Sequence, residues 1–233
     1  MKTLLFSLFC AVGVLAADSG FKPIFNGKDL SGWDGNPQFW SVKDGMLVGQ
    51  TTAENPTKGN TFIIWRDGTV DDFELRFKYR ITGGNSGVQY RSKEMTEVGK
   101  WVVGGYQADI DANNQYTGIM YEERGPRGIA AQRGQKVTLV EGGKKEVTGA
   151  VGTDAEIKAA IKNGDWNQYV VTARGFHFVH QINGKTTVDV TDNDEKNRKS
   201  SGIMAFQLHA GPPMKIEIKD VELKRLPLDS KKN

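Results

Sequence analysis

The chain has 233 residues, 38% of them hydrophobic, and a formal net charge of +3 at pH 7. That length suits one domain with a substantial core. So small a charge, with Lys and Arg scattered among Asp and Glu, gives no electrostatic footprint for a nucleic-acid partner. The single cysteine, Cys10, excludes a disulfide framework, a cysteine-ligated metal and thiol chemistry in the body of the protein.

The first residues, MKTLLFSLFCAVGVLAADSG, place a Lys before an apolar run and small residues after it. This reads as a secretory signal ending at Ala16 or Ala17. The run is shorter than the about 20 apolar residues of a membrane-spanning helix. Phe9 is too bulky for the position before a lipid-modified cysteine. The expected organisation is a leader over 1–17 and one domain over 18–233. The protein is then exported to the periplasm or beyond the cell, with no membrane attachment after cleavage.

Beyond the leader, period-two alternation dominates, as in half-buried strands. FWSVKDGMLVGQ predicts a hairpin turning at Asp44-Gly45. In FELRFKYRI, Phe73, Leu75, Phe77, Tyr79 and Ile81 share one face, and Glu74, Arg76, Lys78 and Arg80 the other. TDAEIKAAIKNG is the one convincing helix, with Thr153 and Glu156 spaced as a capping box and Gly164 placed to end it. WNQYVVTAR precedes a second hairpin, FHFVHQINGKTTVDV, turning at Asn183-Gly184. SGIMAFQLHA and MKIEIKDVELKRL close the chain, and the latter loses its alternation at Lys219-Asp220, which predicts a bulge. Many strands and one short helix predict an all-β sandwich of two antiparallel sheets.

In such a sandwich the outer face of either sheet is available for a site, and parity sorts the candidates. In GYQADID, Tyr106, Ala108 and Ile110 face inward, and Gln107, Asp109 and Asp111 outward. In GIMAFQLHA, Met204, Phe206 and Leu208 face inward, and Gln207 and His209 outward. In GGNSGVQYR, Val88 and Tyr90 oppose Gln89 and Arg91, with Asn85 at the start of the strand. Any one of these outer faces matches ordinary polar surface. Three together collect groups that recognise hydroxyls and transfer protons. His180 shares parity with Phe176, Phe178 and Ile182 and reads as a core or rim histidine, whereas His177 reads as surface. Four of the five tryptophans read as core, and Trp101, beside VVGGY, as a sugar-stacking platform.

DIDANN places Asp109, Asp111 and Asn113 like the start of a calcium loop, but the twelfth position needs Glu and holds Met120. A divalent cation near Asp109 is conceivable, yet no full ligand set is visible, and neither a metal nor another cofactor is assigned. Asp109 and Asp111 also have the spacing of a retaining glycosidase pair, about 5–5.5 Å between carboxyls, although such pairs usually use Glu.

The motifs FKPIFNGKDLSGW, FWSVKDGMLVG, DFELRFKYRI, GNSGVQYR, GGYQADID, YTGIMYEERGPRG, GDWNQYVVTARG, HQING and GIMAFQLHAGPPMKIEIKDVEL run over nearly the whole chain after the leader. In this order and spacing the sequence resembles the 3-keto-disaccharide hydrolase domain family of secreted bacterial proteins. The resemblance implies a concanavalin A-like jelly roll with a sugar site on its concave sheet. The chain departs from the commoner family pattern, Glu then Gln, by carrying Gln107 and Asp109. The implied chemistry removes the C2 proton beside a C3 ketone, expels the C1 substituent and adds water. On this basis His209 or Asp109 is the base and Arg91 stabilises the enolate oxygen. Gln107 and Gln207 orient the sugar, and Glu122 or Tyr121 assists the leaving group. Gln89, Asn85, Asp111 and Trp101 complete the substrate-binding set. The alternative is a non-catalytic, lectin-like carbohydrate-binding module.

Overall fold

A computed structural model describes residues 20–228. The leader reading, Cys10 included, falls outside the described residues. The strands of the first half are β1 (Lys22–Pro23), β2 (Trp33–Gly35), β3 (Trp40–Lys43), β4 (Met46–Gln50), β5 (Thr61–Val70), β6 (Phe73–Thr82), β7 (Asn85–Glu94) and β8 (Val103–Asp111). Then come β9 (Met120–Glu123), β10 (Gly128–Ala131), β11 (Gln135–Val140) and β12 (Lys144–Ala150), followed by helix α1 (Asp154–Ala160). The last are β13 (Asn167–Arg174), β14 (His177–Ile182), β15 (Lys185–Asp192), β16 (Gly202–Leu208) and β17 (Lys215–Arg225).

The strands form two sheets. One has seven, in the order β10-β9-β8-β7-β16-β5-β2; the other has ten, in the order β12-β11-β15-β14-β13-β6-β17-β4-β3, with β1 on β17. The expected sandwich is therefore present. Its pairings are antiparallel save for β11 on β15, which is parallel. That parallel step is possible because β12 and α1 intervene before the chain returns.

Alternation decides which faces meet. Phe73, Leu75, Phe77, Tyr79 and Ile81 of β6 pack into a core shared with Val88, Tyr106, Ala108, Ile110, Met204, Phe206 and Leu208 of the seven-stranded sheet. Phe77 and Phe206 meet edge to face across the sandwich, centroids 5.1 Å apart, and Trp33 stacks on Phe206 at 5.6 Å. His180 is fully buried here, as parity predicts, with Nε2 2.9 Å from the Tyr90 hydroxyl. Burial lowers its pKa to about 3, so the ring stays neutral. His177 lies at the surface against Asp189.

The turns follow their residues. Asp44-Gly45 and Asn183-Gly184 all have positive φ, as two-residue hairpin turns require, and Asp220 adopts φ 52° at a break in the β17 register. Thr153 and Glu156 cap α1 reciprocally. The helix ends at Ala160, however, four residues before Gly164, which serves the following turn instead.

Arg91 departs from its predicted face. Between Tyr90, paired with Tyr106, and Lys93, paired with Gly104, β7 carries one residue more than β8. The extra residue inverts the alternation, and Arg91, at φ 45°, turns into the sandwich. There its guanidinium donates to the carbonyls of Asp71 (2.7 Å), Gly175 (2.6 Å) and Lys199 (3.1 Å) and to Asp72 Oδ1 (2.9 Å). It is 1% exposed and lies over the Phe178 ring. Arg91 thus joins three turns and cannot stabilise an oxyanion on the outer face. Arg91→Ala is expected to lower unfolding stability in urea by about 3–5 kcal/mol, because it removes the cation that offsets the buried Asp72 charge. Arg91→Lys should not restore it, since an ammonium lacks the planar fork that reaches those acceptors.

Candidate functional site

The outer face of the seven-stranded sheet has two halves. In one, Phe62, Ile64, Val103 and Ala205 form a small apolar cluster under Trp101 and Ile203. Trp101 donates its indole N–H to Asp34 Oδ1 at 2.8 Å and carries the Lys100 ammonium over its ring. It lines a hollow shared with Phe39, Lys58 and Asn60, not the cavity that holds Asp109. The expected stacking platform thus roofs apolar surface instead.

The other half is polar. Because β7, β8 and β16 adjoin, parity brings Gln89, Gln107, Asp109 and Gln207 together. Gln89 Nε2 donates to Gln107 Oε1 at 2.5 Å, and the Ser92 hydroxyl lies 3.0 Å from Gln89 Oε1. Gln107 Nε2 donates to Asp109 Oδ1 (2.5 Å) and, more weakly, towards Gln207 Oε1 (3.4 Å). Gln207 Nε2 donates to Glu123 Oε2 at 3.2 Å. Asn85 Nδ2 reaches Asp109 Oδ2 at 2.9 Å, and Asn60 Nδ2 reaches Glu123 Oε1 at 3.2 Å. Asn85, Gln107, Gln207 and Asn60 therefore point donors toward one of two carboxylates, which as anions only accept, and Gln89 backs Gln107 from behind. Gly87, opposite Asp109 in register, makes this possible, because a Cβ there would lie 2.7 Å from Gln107 Cγ.

Above the carboxylates opens a cavity of about 410 Å³, a volume ordinary for a small-molecule site. Asp109, Glu123 and Asn85 lie at its polar side, Tyr116, Ile119, Tyr121 and Ile129 supply apolar surface, and the exposed His209 stands at its edge. No Arg or Lys lines it among the described residues. Two larger hollows, about 690 and 500 Å³, lie near the N-terminal strand. The second is flanked by charges already spent in the pairs Arg76–Glu222 and Lys78–Asp220, and neither collects convergent carboxylates.

Asp109 is 4% exposed. Burial drives its pKa up from 3.8 to about 7, against the hydrogen bonds from Asn85 and Gln107, which lower it. Asp111 and Glu123 push it further up. The Tyr121 phenol is raised too, by burial and by Glu123 and Asp109, and so remains a hydrogen-bond donor at neutral pH.

Three further expectations are corrected. Glu122 faces the other way from Tyr121 on β9: its carboxylate takes Arg127 Nε at 2.8 Å and Nη2 at 3.0 Å, while Arg127 Nη1 reaches Asp192 at 2.6 Å. Glu123, two residues from Tyr121 and of equal parity, holds the position foreseen for Glu122. Gln89, Gln107 and Gln207 are buried beneath the cavity, where Gln107 and Gln207 bond the carboxylates and Gln89 bonds Gln107, and none of the three lines the sugar-sized space. Asp111 lines the cavity but accepts the backbone N–H groups of Asn113, Gln115 and Tyr116, so its carboxylate organises a loop. Among the described residues no group of three or more His, Cys, Asp or Glu side chains is arranged to hold a metal ion. Asn60, Glu123 and Tyr116 are the residues that sequence reasoning missed. Only Glu123 had a signal, its parity with Tyr121.

The raised Asp109 pKa fixes a stability trend. A folded pKa above the unfolded value favours folding below about pH 4, and that contribution is lost as pH rises through about 7. Wild-type stability is expected to fall by on the order of 2–4 kcal/mol across this window from Asp109 alone. Asp109→Asn should flatten that part of the curve, as read by denaturant unfolding at stepped pH.

Residues 20–224 match the family of 3-keto-alpha-glucoside-1,2-lyase-like domains. Among solved structures, a glycosyl hydrolase candidate from Parabacteroides distasonis is 20% identical, with a TM-score of 0.57, over 88% of this chain and 99% of that one. The carbohydrate-binding module CBM66 from Bacillus subtilis is 16% identical, TM-score 0.53, over 83% and 95%. A galectin-like protein of unknown function from the same species is 10% identical, TM-score 0.55, over 90% and 96%. These likenesses agree with the jelly-roll sandwich. No curated protein matches in sequence. With nearly the whole described chain matched, the protein belongs to the 3-keto-alpha-glucoside-1,2-lyase-like family and to its carbohydrate-related chemistry.

Proposed function

We propose that this is an exported protein that cleaves 3-keto-glycosides by elimination and hydration. The observation that carries the reading is Asp109, a buried carboxylate beside a sugar-sized cavity with its pKa lifted to about 7. A base with a pKa near the working pH is the most effective general base. A ketone at C3 acidifies the C2 proton, which Asp109 takes while the C2–H electrons enter the enolate. The enolate then re-forms the ketone, creates a C1–C2 double bond and breaks the bond from C1 to the leaving oxygen. That oxygen takes a proton from the Tyr121 phenol or from His209 at the cavity edge. Water adds at C1 and a proton returns to C2, completing a net hydrolysis.

Three other features support the reading. Asn85 and Gln107 fix both Asp109 oxygens, so the base is held in place before the substrate arrives. Glu123, held by Gln207 and Asn60, is the second carboxylate and receives the proton of the incoming water. Arg91 has no role in this version; where His209 is the acid, the Tyr121 phenol is the neutral donor to the enolate oxygen. The N-terminal apolar run supports export, with a carbohydrate as the partner. The likeness to CBM66 favours a second reading, a module that binds glycans without cleaving them.

Incubation with a 3-keto-glucoside and with the matching unmodified glucoside separates these readings. Release of the aglycone from the keto sugar alone is expected. Release from both would indicate an ordinary glycosidase, and binding without release a module. Asp109→Asn is expected to lower kcat by about 10²–10⁴, and the wild-type rate should rise with pH to a plateau above about 7. Full turnover by this variant would refute the role of Asp109.

A further inference from the structure

Tyr116 is 39% exposed, one of the few large apolar side chains at the surface among the described residues, and it lines the cavity above Asp109 and Glu123. Its loop is tightly held. Asp111 Oδ2 accepts the N–H of Gln115 at 2.7 Å and of Tyr116 at 3.3 Å, and Oδ1 that of Asn113 at 3.3 Å. Thr117 bonds both the N–H and the carbonyl of Asp111 through its hydroxyl. From the other side, buried Arg133 donates to the carbonyls of Thr117 and Asn114 and to Asn114 Oδ1. Asn114 itself adopts φ 55°, which Asn tolerates better than most residues. Gln115 Nε2 donates to the Tyr116 hydroxyl at 3.0 Å.

A loop with this many internal bonds spends them on keeping one aromatic ring in the open. Hydrophobic burial would ordinarily draw such a ring inward, whereas a ring already held loses little entropy when a ligand covers it. Together with Ile119, Tyr121 and Ile129, it gives the cavity an apolar side facing a carboxylate side. A pyranose has the same division: C–H groups on its ring faces and hydroxyls around its rim.

Building on the cleavage reading, we propose that Tyr116 is the platform on which the substrate's pyranose ring stacks, C–H face down. Asp111 is then a positioning residue for that platform and not an acid or base of the reaction. This assigns the substrate class as a pyranoside presenting an unobstructed C–H face, and it separates the two neighbouring aspartates by role. Asp109 meets the reacting edge of the sugar, and Asp111 meets only backbone.

The test uses wild type, Tyr116→Ala, Tyr116→Phe, Tyr116→Trp and Asp111→Ala. The readouts are kcat and KM on a 3-keto-glucoside and Kd for the unreactive plain glucoside by calorimetry. Tyr116→Ala is expected to raise KM and Kd roughly tenfold, the scale of one aromatic contact, with kcat within about twofold. Phe and Trp should restore binding, since stacking needs the ring and not the hydroxyl. Asp111→Ala should raise KM and move the kcat–pH midpoint downward, since the Asp111 charge helps to raise the Asp109 pKa, while the plateau kcat above that midpoint stays within about twofold. Tyr116→Ala with unchanged KM and Kd, or Tyr116→Phe as impaired as Ala, would overturn the platform; a collapse of the plateau kcat in Asp111→Ala would overturn the positioning role. The two readings fail separately. Ring-dependent binding of the plain glucoside with no turnover of the keto sugar would keep the platform and remove the cleavage reading. Turnover with a KM indifferent to Tyr116 would do the reverse, and a wild type that neither binds nor cleaves would remove both.

Discussion

Two carboxylates packed onto the outer face of a sheet, Asp109 and Glu123, impose a direction on everything around them. An ionised carboxylate has no proton to give, so each neighbouring amide must turn its N–H₂ end toward it. Gln107 and Asn85 do so for Asp109, and Gln207 and Asn60 for Glu123. Once Gln107 is oriented, its carbonyl accepts from Gln89. Five amides from β5's approach, β7, β8 and β16 are thereby set by two charges. A network so satisfied holds its members in one rotamer each, which is what a catalytic base needs if it is to meet a C–H bond at a defined angle.

The same arrangement explains why Asp109 titrates so high. The arginines that could have neutralised it are committed elsewhere: Arg91 to Asp72, Arg127 to Glu122 and Asp192, Arg133 to Asp154 and the loop carrying Tyr116. Each buried guanidinium ties turns or strand ends of the sandwich together. None lines the cavity, so desolvation prevails at Asp109 over two neutral hydrogen bonds. A cation brought within about 4–6 Å would reverse the shift and turn a base poised near neutrality into an inert anion. The absence of a cation from the lining of this cavity, among the described residues, is thus a chemical feature as well as a packing one.

Much of this was legible in the sequence wherever a strand runs without interruption. Parity alone put Gln89, Gln107, Asp109 and Gln207 on one face, and buried Met204, Phe206, Tyr106 and Ala108 behind them. It failed at Arg91, because one extra residue in β7 inverts every side chain after it, and nothing in NSGVQYRS marks the bulge as DG or NG marks a hairpin. The choice of Glu122 over Glu123 failed for a different reason: naming Tyr121 and Glu122 together ignored their opposite parity on a four-residue strand. Asn60 and Tyr116 lie outside strands, where no period exists and only tertiary hydrogen bonds reveal a role. Trp101 illustrates the converse, an aromatic whose composition suggested sugar but whose neighbours are Asp34, Lys100 and an apolar patch.

The account rests on the ionisation of one side chain. The most direct measurement is a ¹³C NMR titration of the aspartate carboxyl carbons in the folded protein, with the Asp109 resonance assigned by comparison with Asp109→Asn. A midpoint near 7 for that resonance is the expected result. A midpoint in the ordinary range around 3.8 would show Asp109 to be a permanently ionised structural anchor and would contradict its role as the base.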